Sequence, residues 1–365
     1  MFRDVLRAFG APVRFLVVTH HEGVDLLAEW VRDLGMVDRT RVVSVPDQTK
    51  FSVWAQDSFI VCSDSQGGRL ILQPLNHEHP GETVIARTVA EFLGWDYRQV
   101  PGRLQSGNVL VGDDFWLMGA DSAEKPSGEL PRPDQEPGAT TTEEETEFVL
   151  DATRTMHLVS SDRPVPGFEE ELLLRDAGEL GSGWQEAVYR GNRVGTTQPI
   201  FHVDSFISLA GREPDGRYRI LVGDPALAAR TIGTDLPEHA LQDVFDRVAF
   251  LFERAGLVVS RVPLPLVYHD NKLTRVRHWY FASYNNAIVE IVGDSKRVWL
   301  PTYGHGKWKV LVSTDEMVRD VWRGLGFETR TLTDFHPFAS NLGSLRCMAK
   351  CLERSDEFDA GRVES

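Results

Sequence analysis

The chain has 365 residues, 42% of them hydrophobic, and a formal net charge of −15 at pH 7. This length and composition suffice for a sizeable core and exclude a disordered protein. The sequence contains no run of about 20 apolar residues of the kind that spans a membrane. The acidic charge argues against nucleic-acid or anionic-membrane binding and favours a cationic ligand. We therefore predict a cytoplasmic protein without nucleic-acid or membrane partners.

In chain order, the hydrophobic pattern predicts a recurring unit in which an apolar strand leads to an amphipathic helix and a second strand. Such units begin with predicted strands at residues 13–18, 69–72, 115–118, 218–222 and 298–301. Their helices are predicted near residues 23–34, 83–93, 237–255 and 314–325, and the third unit is the least regular. The pattern predicts an α/β fold of pseudo-repeated strand–helix–strand units, although a doubly wound sheet would show the same units.

Residues 121–147 break this pattern, since they contain four prolines and the consecutive acidic residues Glu143, Glu144 and Glu145. Few apolar side chains are available there to offset the entropy of ordering. We predict a flexible, acidic, proline-rich insertion, which is either a plain solvated loop or a flap that gates substrate or binds a partner. Residues 356–365 are predicted to form a charged C-terminal tail, and residues 1–355 a single α/β domain.

Five short segments rich in functional side chains lie between the predicted elements, at residues 54–61, 105–111, 202–209, 283–291 and 341–347. They supply the thiol of Cys347, the imidazole of His202 and the carboxylates of Asp57 and Asp204. A guanidinium is planar and rich in donors, so carboxylates bind it edge-on. Its carbon is a poor electrophile, which favours attack by a thiol and a covalent intermediate, with a histidine to move protons. These residue types therefore predict chemistry on a guanidinium.

Local patterns predict how these groups are presented. Alternation along His202-Val203-Asp204 predicts a strand with both polar side chains on one face, although alone the motif would also fit a surface pair or half of a metal site. Asp57 precedes the apolar run Phe59-Ile60-Val61, so we expect it to begin a buried strand, where its carboxylate needs a cation. An internal arginine or lysine is the alternative to a substrate there.

Cys347 follows a glycine-containing turn, which lets the backbone place the side chain in a tight pocket. Inert packing is the common alternative for a cysteine. Cys62 and Cys351 are predicted to be structural, and the absence of paired spacing among the three cysteines argues against a disulfide framework. Asn108 either lines a pocket or satisfies a turn, and Asn286 is predicted to be structural.

The motifs resemble those of the guanidino-group-modifying superfamily of arginine deiminases and amidinotransferases, and most closely those of the peptidylarginine deiminases. The resemblance lies in residues 54–57 before an apolar run, in His202-Val203-Asp204-Ser205-Phe206, and in the turn that leads to Cys347. Free-arginine and agmatine deiminases commonly carry an arginine in place of Gln56. The chain departs from the family at Arg346, where a histidine is frequent.

The resemblance implies the pentein fold, a five-bladed α/β-propeller. It implies a hydrolase that converts arginine, as peptidyl arginine, to citrulline and ammonia through a covalent thiouronium on Cys347, without a cofactor. His202 would be the general acid and base, and Asp57 and Asp204 would clamp the guanidinium. The predicted substrate-binding residues are Trp54, Gln56, Asn108 and Arg346. The substrate would be an arginine-containing peptide or a small guanidino compound.

Alternatives stay open at this point. An amidinotransferase would use the same covalent intermediate with an amine in place of water. A free-arginine or agmatine deiminase would act on a small substrate, and a non-catalytic module would only bind a guanidinium. No metal is predicted, because the clusters at His20-His21, His77 and His79, and His269-Asp270 lack zinc-binding spacing. Larger animal peptidylarginine deiminases bind calcium partly through accessory domains for which this chain has no room, so calcium independence is expected.

Overall fold

The computed structural model describes residues 2–10, 13–64, 66–74, 81–100, 105–122, 153–167, 174–176, 181 and 183–354. The chain divides into two compact units, the first formed by residues 1–105, 290–296 and 348–365 and the second by residues 106–289 and 297–347. The predicted insertion lies outside the described residues from position 123 onward, as does the predicted tail at 356–365. The single domain over residues 1–355 stays a prediction.

The helices are α1 Phe2–Ala8, α2 Val24–Asp33, α3 Glu82–Leu93, α4 Pro225–Ile232, α5 Gln242–Arg254, α6 Val312–Gly324 and α7 His336–Ala339. The strands are β1 Phe15–His20, β2 Thr40–Val45, β3 Ile60–Ser63, β4 Arg69–Pro74, β5 Asp96–Val100, β6 Val109–Val111, β7 Phe115–Gly119, β8 Thr155–Val159, β9 Leu174–Asp176, β10 Gln185–Ala187, β11 Ile207–Arg212, β12 Tyr218–Asp224, β13 Val258–Pro263, β14 Leu266–Asn271, β15 Val276–Phe281, β16 Ile288–Val292, β17 Ser295–Thr302 and β18 Glu328–Asp334. No helix in the described part of the chain combines the length and apolarity that a membrane crossing requires.

The first unit contains two small sheets whose parallel strands are joined by helices. Strand β1 pairs in parallel with β2, and α2 connects them. Strand β4 pairs antiparallel with β3 and parallel with β5, with α3 as the crossover. Helix α3 buries Ile85, Ala86 and Val89 against Ile71 of β4, because these positions share one helical face. It ends at Gly94, whose left-handed φ of +66° suits a residue without a Cβ.

The second unit repeats this topology. Strand β7 pairs antiparallel with β6 and parallel with β8. Strand β12 likewise pairs antiparallel with β11 and parallel with β13, and helices α4 and α5 connect β12 to β13. Strands β17 and β18 are parallel, and α6 connects them. The core of this unit includes the buried side chains of Leu117, Val203, Phe206, Ile220 and Phe245. The predicted strand–helix–strand units are therefore confirmed where the chain is described.

The sequence pattern missed two features of these sheets. One is the four-stranded sheet β14-β15-β10-β9, which mixes parallel and antiparallel pairs and belongs to no predicted unit. The other is a shared placement, because the segments at 105–111, 202–209 and 283–291 lead directly into β6, β11 and β16, just as the segment at 54–61 leads into the predicted strand β3. The polar residues therefore lie at equivalent positions, just before the N-terminal end of a strand. A closed ring of five blades stays a prediction, since each sheet in the described part is small and open.

The predicted insertion begins with ordered residues. Asp121 lies in the short helical turn Ala120–Ser122 and is buried. Its carboxylate accepts a hydrogen bond from the Thr196 hydroxyl, and its carbonyl oxygen accepts one from Arg193 Nη1 at 3.0 Å. A flexible segment can therefore begin no earlier than residue 123.

We expect the free energy of unfolding to fall on acidification, because burial lowers the pKa of His278 from 6.5 to about 4. As the pH drops below about 6.5, the unfolded chain takes up the proton first, so the folded state loses stability until the pH passes about 4. Burial also lowers the pKa values of His157, His269 and His336, which adds to the same trend. Urea unfolding across this range should show it.

The control for this prediction is a histidine exchange at the surface. His278→Gln should flatten the decline in stability with falling pH, whereas His21→Gln, at an exposed position, should leave the decline unchanged. An equal decline in His278→Gln and the wild type would contradict the assignment to His278.

Candidate active site

His202 and Asp204 do not lie on a strand, so that prediction was wrong. Residues Val203–Ser205 form a single 3-10 turn, His202 precedes it in an extended conformation, and β11 begins only at Ile207. The backbone N–H of Ser205 donates to the His202 carbonyl at 3.1 Å. The turn forms because Val203 and Phe206, three residues apart, are both fully buried in the same core, and residues i and i+3 align in a 3-10 turn.

Asn108 braces this turn from a neighbouring segment. Its carboxamide oxygen accepts hydrogen bonds from the Val203 backbone N–H at 3.1 Å and from Gln198 Nε2 at 2.8 Å. Its Nδ2 donates to the Ser122 hydroxyl at 2.8 Å. Gly119 packs against this carboxamide, since a Cβ added at Gly119 would lie only 2.1 Å from the Asn108 oxygen. Asn108 therefore positions the His202 turn, and its role in substrate binding stays a prediction.

Cys347 is clamped by the carboxamide of Asn286. Within the described residues Cys347 is not part of a disulfide, and it is only 2% exposed. Asn286 Nδ2 donates to Cys347 Sγ at 3.1 Å, and Asn286 Oδ1 accepts from the Cys347 backbone N–H at 3.1 Å. The Asn286 carbonyl also accepts the N–H of Arg346 at 3.1 Å. A donor on the sulfur favours its charged form, and the sequence did not reveal this contact between Asn286 and the thiol.

Hydrogen bonds join the Cys347 segment to the His202 segment through Ser283. The Ser283 hydroxyl donates to the Ser205 carbonyl at 2.5 Å and accepts the backbone N–H of Asn286 at 3.1 Å. Tyr303 closes the network, since its hydroxyl donates to the Ser283 carbonyl at 3.0 Å and lies 2.7 Å from the Ser344 hydroxyl. Burial raises the pKa of Tyr303, which keeps this hydroxyl neutral and able to donate. Three predicted segments thus meet in one bonded network.

A second link between the segments is the ion pair of Arg346 with Asp204. Asp204 is fully buried, and the Arg346 side chain is 23% exposed. A buried carboxylate needs such a partner because the loss of solvation would otherwise raise its free energy by several kcal/mol, about 3–5. Asp204, one of the two predicted clamp residues, therefore pairs in this structure with the guanidinium of Arg346, which was itself predicted to bind substrate.

In the glycine-containing segment before Cys347, the left-handed residue is Leu342, with φ of +68°, and not the neighbouring Gly343. The turn ends α7, with the Leu342 N–H donating to the Ala339 carbonyl at 2.9 Å. A leucine in this conformation costs about 1 kcal/mol, and such strain is common near functional sites.

The predicted site residues of the first unit are Trp54, Gln56 and Asp57. They lie in a turn, and Asp57 does not begin a strand, because β3 begins only at Ile60. The backbone N–H of Asp57 donates to the Trp54 carbonyl at 3.0 Å, and Asp57 is half-buried. Gln56 is buried, and its carbonyl accepts Lys350 Nζ at 3.2 Å.

Sequence reasoning also missed Glu82, a glutamate that is 1% exposed. Its carboxylate accepts hydrogen bonds from the Ser52 backbone N–H at 2.9 Å, the Ser52 hydroxyl at 2.9 Å and the Ser58 hydroxyl at 2.5 Å. These bonds fix both ends of the segment that carries Trp54, Gln56 and Asp57. The cysteines predicted to be structural lie elsewhere, Cys62 in β3 and Cys351 at an exposed position. Within the described ranges, no three His, Cys, Asp or Glu side chains cluster as metal ligands would.

No family profile matches the chain, and no curated protein matches its sequence. Solved structures do resemble it. The agmatine deiminase of C. jejuni superposes with a TM-score of 0.54 at 11% identity, covering 95% of this chain and 83% of that enzyme. A provisionally assigned agmatine deiminase gives 0.56 at 14% identity, with coverages of 92% and 82%. A provisionally assigned peptidyl-arginine deiminase gives 0.55 at 13% identity, with coverages of 95% and 87%.

The chain therefore shares the fold of these deiminases. This fold agrees with the resemblance carried by Cys347, His202 and the two aspartates. At these identities the likeness concerns the fold, and the chemistry depends on the side chains of this chain.

Proposed function

We propose that the protein is a hydrolase of the guanidinium group of an arginine derivative, which it converts to a ureido group and ammonia. One observation carries this proposal. The nucleophile candidate Cys347 and the buried carboxylate Asp204 come from distant segments, yet Arg346, next to Cys347 in sequence, pairs with Asp204, which lies 142 residues earlier in the chain. This ion pair brings the buried carboxylate to the segment that carries the thiol, and we propose that a substrate guanidinium takes the place of Arg346 on Asp204.

In the proposed reaction the Cys347 thiolate attacks the guanidinium carbon, and a C–S bond forms. His202 gives a proton to one nitrogen, the C–N bond breaks, and ammonia leaves. Water then loses a proton to His202 and attacks the thiouronium carbon. The C–S bond breaks with its electrons on sulfur, which restores the thiolate. The remaining hydroxyl proton passes to solvent, where it is taken up by the released ammonia, and the neutral ureido product leaves. Asp204 would hold the guanidinium throughout, and Asp57 keeps its predicted clamp role from the sequence motif.

The proposal makes Asn286 a positioning residue for the thiolate. We expect Asn286→Asp to raise the pKa of the Cys347 thiol, because a donor next to sulfur is replaced by a negative charge. The rate of iodoacetamide alkylation against pH should shift upward by about one unit or more, and kcat should fall about tenfold or more. The measurement uses a background in which Cys62 and Cys351 are replaced by serine.

The matched control is Asn341→Asp, the same exchange at an exposed asparagine that donates to the Pro337 carbonyl at 2.8 Å. It should leave the alkylation profile unchanged. An unshifted alkylation profile in Asn286→Asp would show that Asn286 does not position the thiolate, and the proposed hydrolase activity would be unaffected by that result.

For the substrate, the Gln56 motif favours peptide-bound arginine over free arginine. We expect kcat/KM for an acylated and amidated arginine to exceed that for arginine. Agmatine is the second candidate, because two of the similar structures are described as agmatine deiminases. A comparison of kcat/KM for the three compounds decides between them, and a clear preference for arginine would overturn the peptidyl assignment.

The reaction type needs its own test. Release of ammonia and a ureido product without an added amine separates hydrolysis from amidino transfer. Product formation that requires an amine would support the amidinotransferase alternative. Binding of the guanidine without any turnover would support the non-catalytic module.

A further inference from the structure

The second unit contains a pocket beside the loop that carries Cys347. Ser344 of that loop and Asn286, whose carboxamide contacts the thiol, form part of its wall. Aromatic rings of Trp279 and Phe281 form another part. A pocket with apolar walls and a few polar groups is the usual form of a small-molecule site.

Arg190 brings a positive charge into this pocket. The side chain is half-buried, and burial lowers its pKa. Its Nη1 donates to the Ser340 carbonyl at 3.3 Å. Within the described part of the chain, no carboxylate forms an ion pair with Arg190, and no acidic residue lines the pocket. A partly desolvated guanidinium without a carboxylate is stabilised when a ligand supplies one.

The backbone holds Arg190 in place. Tyr189 and Gly191, on either side, have left-handed φ values of +55° and +84°. A Cβ at Gly191 would lie 2.9 Å from Phe201 Cδ1, so the loop packs tightly against the pocket wall. Asn192 closes the turn, with its N–H donating to the Tyr189 carbonyl at 3.0 Å. The backbone at Arg190 is therefore fixed, and the bond from Nη1 to the Ser340 carbonyl orients the guanidinium, which lowers the entropic cost of binding.

The charge of Arg190 also acts on the residues around it. It contributes to lowering the pKa values of His269 and His278, which stack with ring centroids 4.9 Å apart. Asp270, at the strand position next to His269, is paired with Arg277, with Oδ1 2.8 Å from Nε, so it does not neutralise Arg190.

We propose that this pocket binds a small molecule through its carboxylate, with Arg190 pairing to the carboxylate and the aromatic walls covering an apolar body. A guanidinium presents its N–H groups as a planar fork that matches a carboxylate with two parallel hydrogen bonds. No sequence pattern indicated this residue, because Arg190 stands outside every predicted motif.

Binding of 3-phenylpropionate to the purified full chain tests the proposal by titration calorimetry. The wild type should bind the carboxylate at least about tenfold more tightly than the neutral 3-phenylpropionamide. Arg190→Gln should remove that preference, and Arg190→Lys, which keeps the charge but loses the fork, should retain part of it. The control Arg230→Gln, at an exposed position in α4, should behave as the wild type.

Equal affinity for the acid and the amide in the wild type would overturn the proposal, and that result needs no variant to fold. An unchanged preference in a folded Arg190→Gln variant, checked by circular dichroism, would overturn it as well. Saturable binding that depends on both the carboxylate and Arg190 supports it. None of these outcomes depends on the proposed deiminase activity.

The carboxylate could belong to the substrate or to a separate effector, and kinetics distinguishes the two. This arm rests on the proposed function. If the carboxylate belongs to the substrate, Arg190→Gln should lower kcat/KM for arginine relative to agmatine about tenfold or more. That result would also overturn the proposed preference for peptide-bound arginine. An effector predicts an unchanged ratio and binding of 3-phenylpropionate to enzyme alkylated at Cys347.

Discussion

Cys347→Ala is expected to abolish turnover, with kcat reduced at least about 10⁴-fold, because the substitution removes the atom that forms the covalent bond. Stability should change little. The side chain is buried, but the loss of one sulfur atom and its hydrogen bond from Asn286 costs only about 1 kcal/mol. A citrulline and ammonia assay combined with thermal unfolding measures both effects.

The other two cysteines of the chain, Cys62 and Cys351, provide control positions for the Cys347 substitution. Cys351→Ala removes an exposed thiol four positions further on, and Cys62→Ala removes a half-buried one. Both variants should keep wild-type kcat. A haloacetamidine should label Cys347 in the wild type and leave Cys347→Ala unlabelled at the site. Citrulline production by Cys347→Ala at near-normal rates would mean that another group is the nucleophile.

The predictions made from the sequence succeeded where structure depends on local burial. The strand predicted at 218–222 lies within β12, and the helix predicted at 83–93 lies within α3. Apolar residues at helical or alternating spacing are enough to specify such elements. The same reasoning failed at His202 and Asp204, because alternation of polar and apolar residues fits a strand and a turn equally well. The burial of Phe206 three residues after Val203 decided between them.

The contacts that assemble the candidate site could not be predicted in this way. Asn286 lies 61 residues from Cys347, and Ser283 lies 78 residues from Ser205. Such bonds form because the sheets bring the segments together, and asparagine and serine are too common for their identity to indicate a partner. The pairing of Arg346 with Asp204 is of the same kind, although the departure of Arg346 from the family pattern was visible in the sequence.

Asp204→Asn is expected to lower both stability and activity strongly. The exchange leaves the guanidinium of Arg346 without its carboxylate, and because Arg346 is partly exposed the cost should lie near the lower end for a broken buried pair, about 3 kcal/mol. If Asp204 also clamps the substrate, kcat/KM should fall about tenfold to a hundredfold or more, as for loss of a charged hydrogen bond. Urea unfolding and steady-state kinetics measure the two losses separately.

A structural ion pair alone would also explain a loss in both quantities, and the double variant Asp204→Asn with Arg346→Gln separates the two roles. Once position 346 is neutral, the loss of the Asp204 carboxylate no longer strands a charge, so the double variant should regain stability relative to the sum of the single variants by about 1–3 kcal/mol. Activity should not recover with it, because the substrate still brings a guanidinium that needs the Asp204 carboxylate. Parallel recovery of stability and kcat/KM would instead show that Asp204 serves only to hold Arg346.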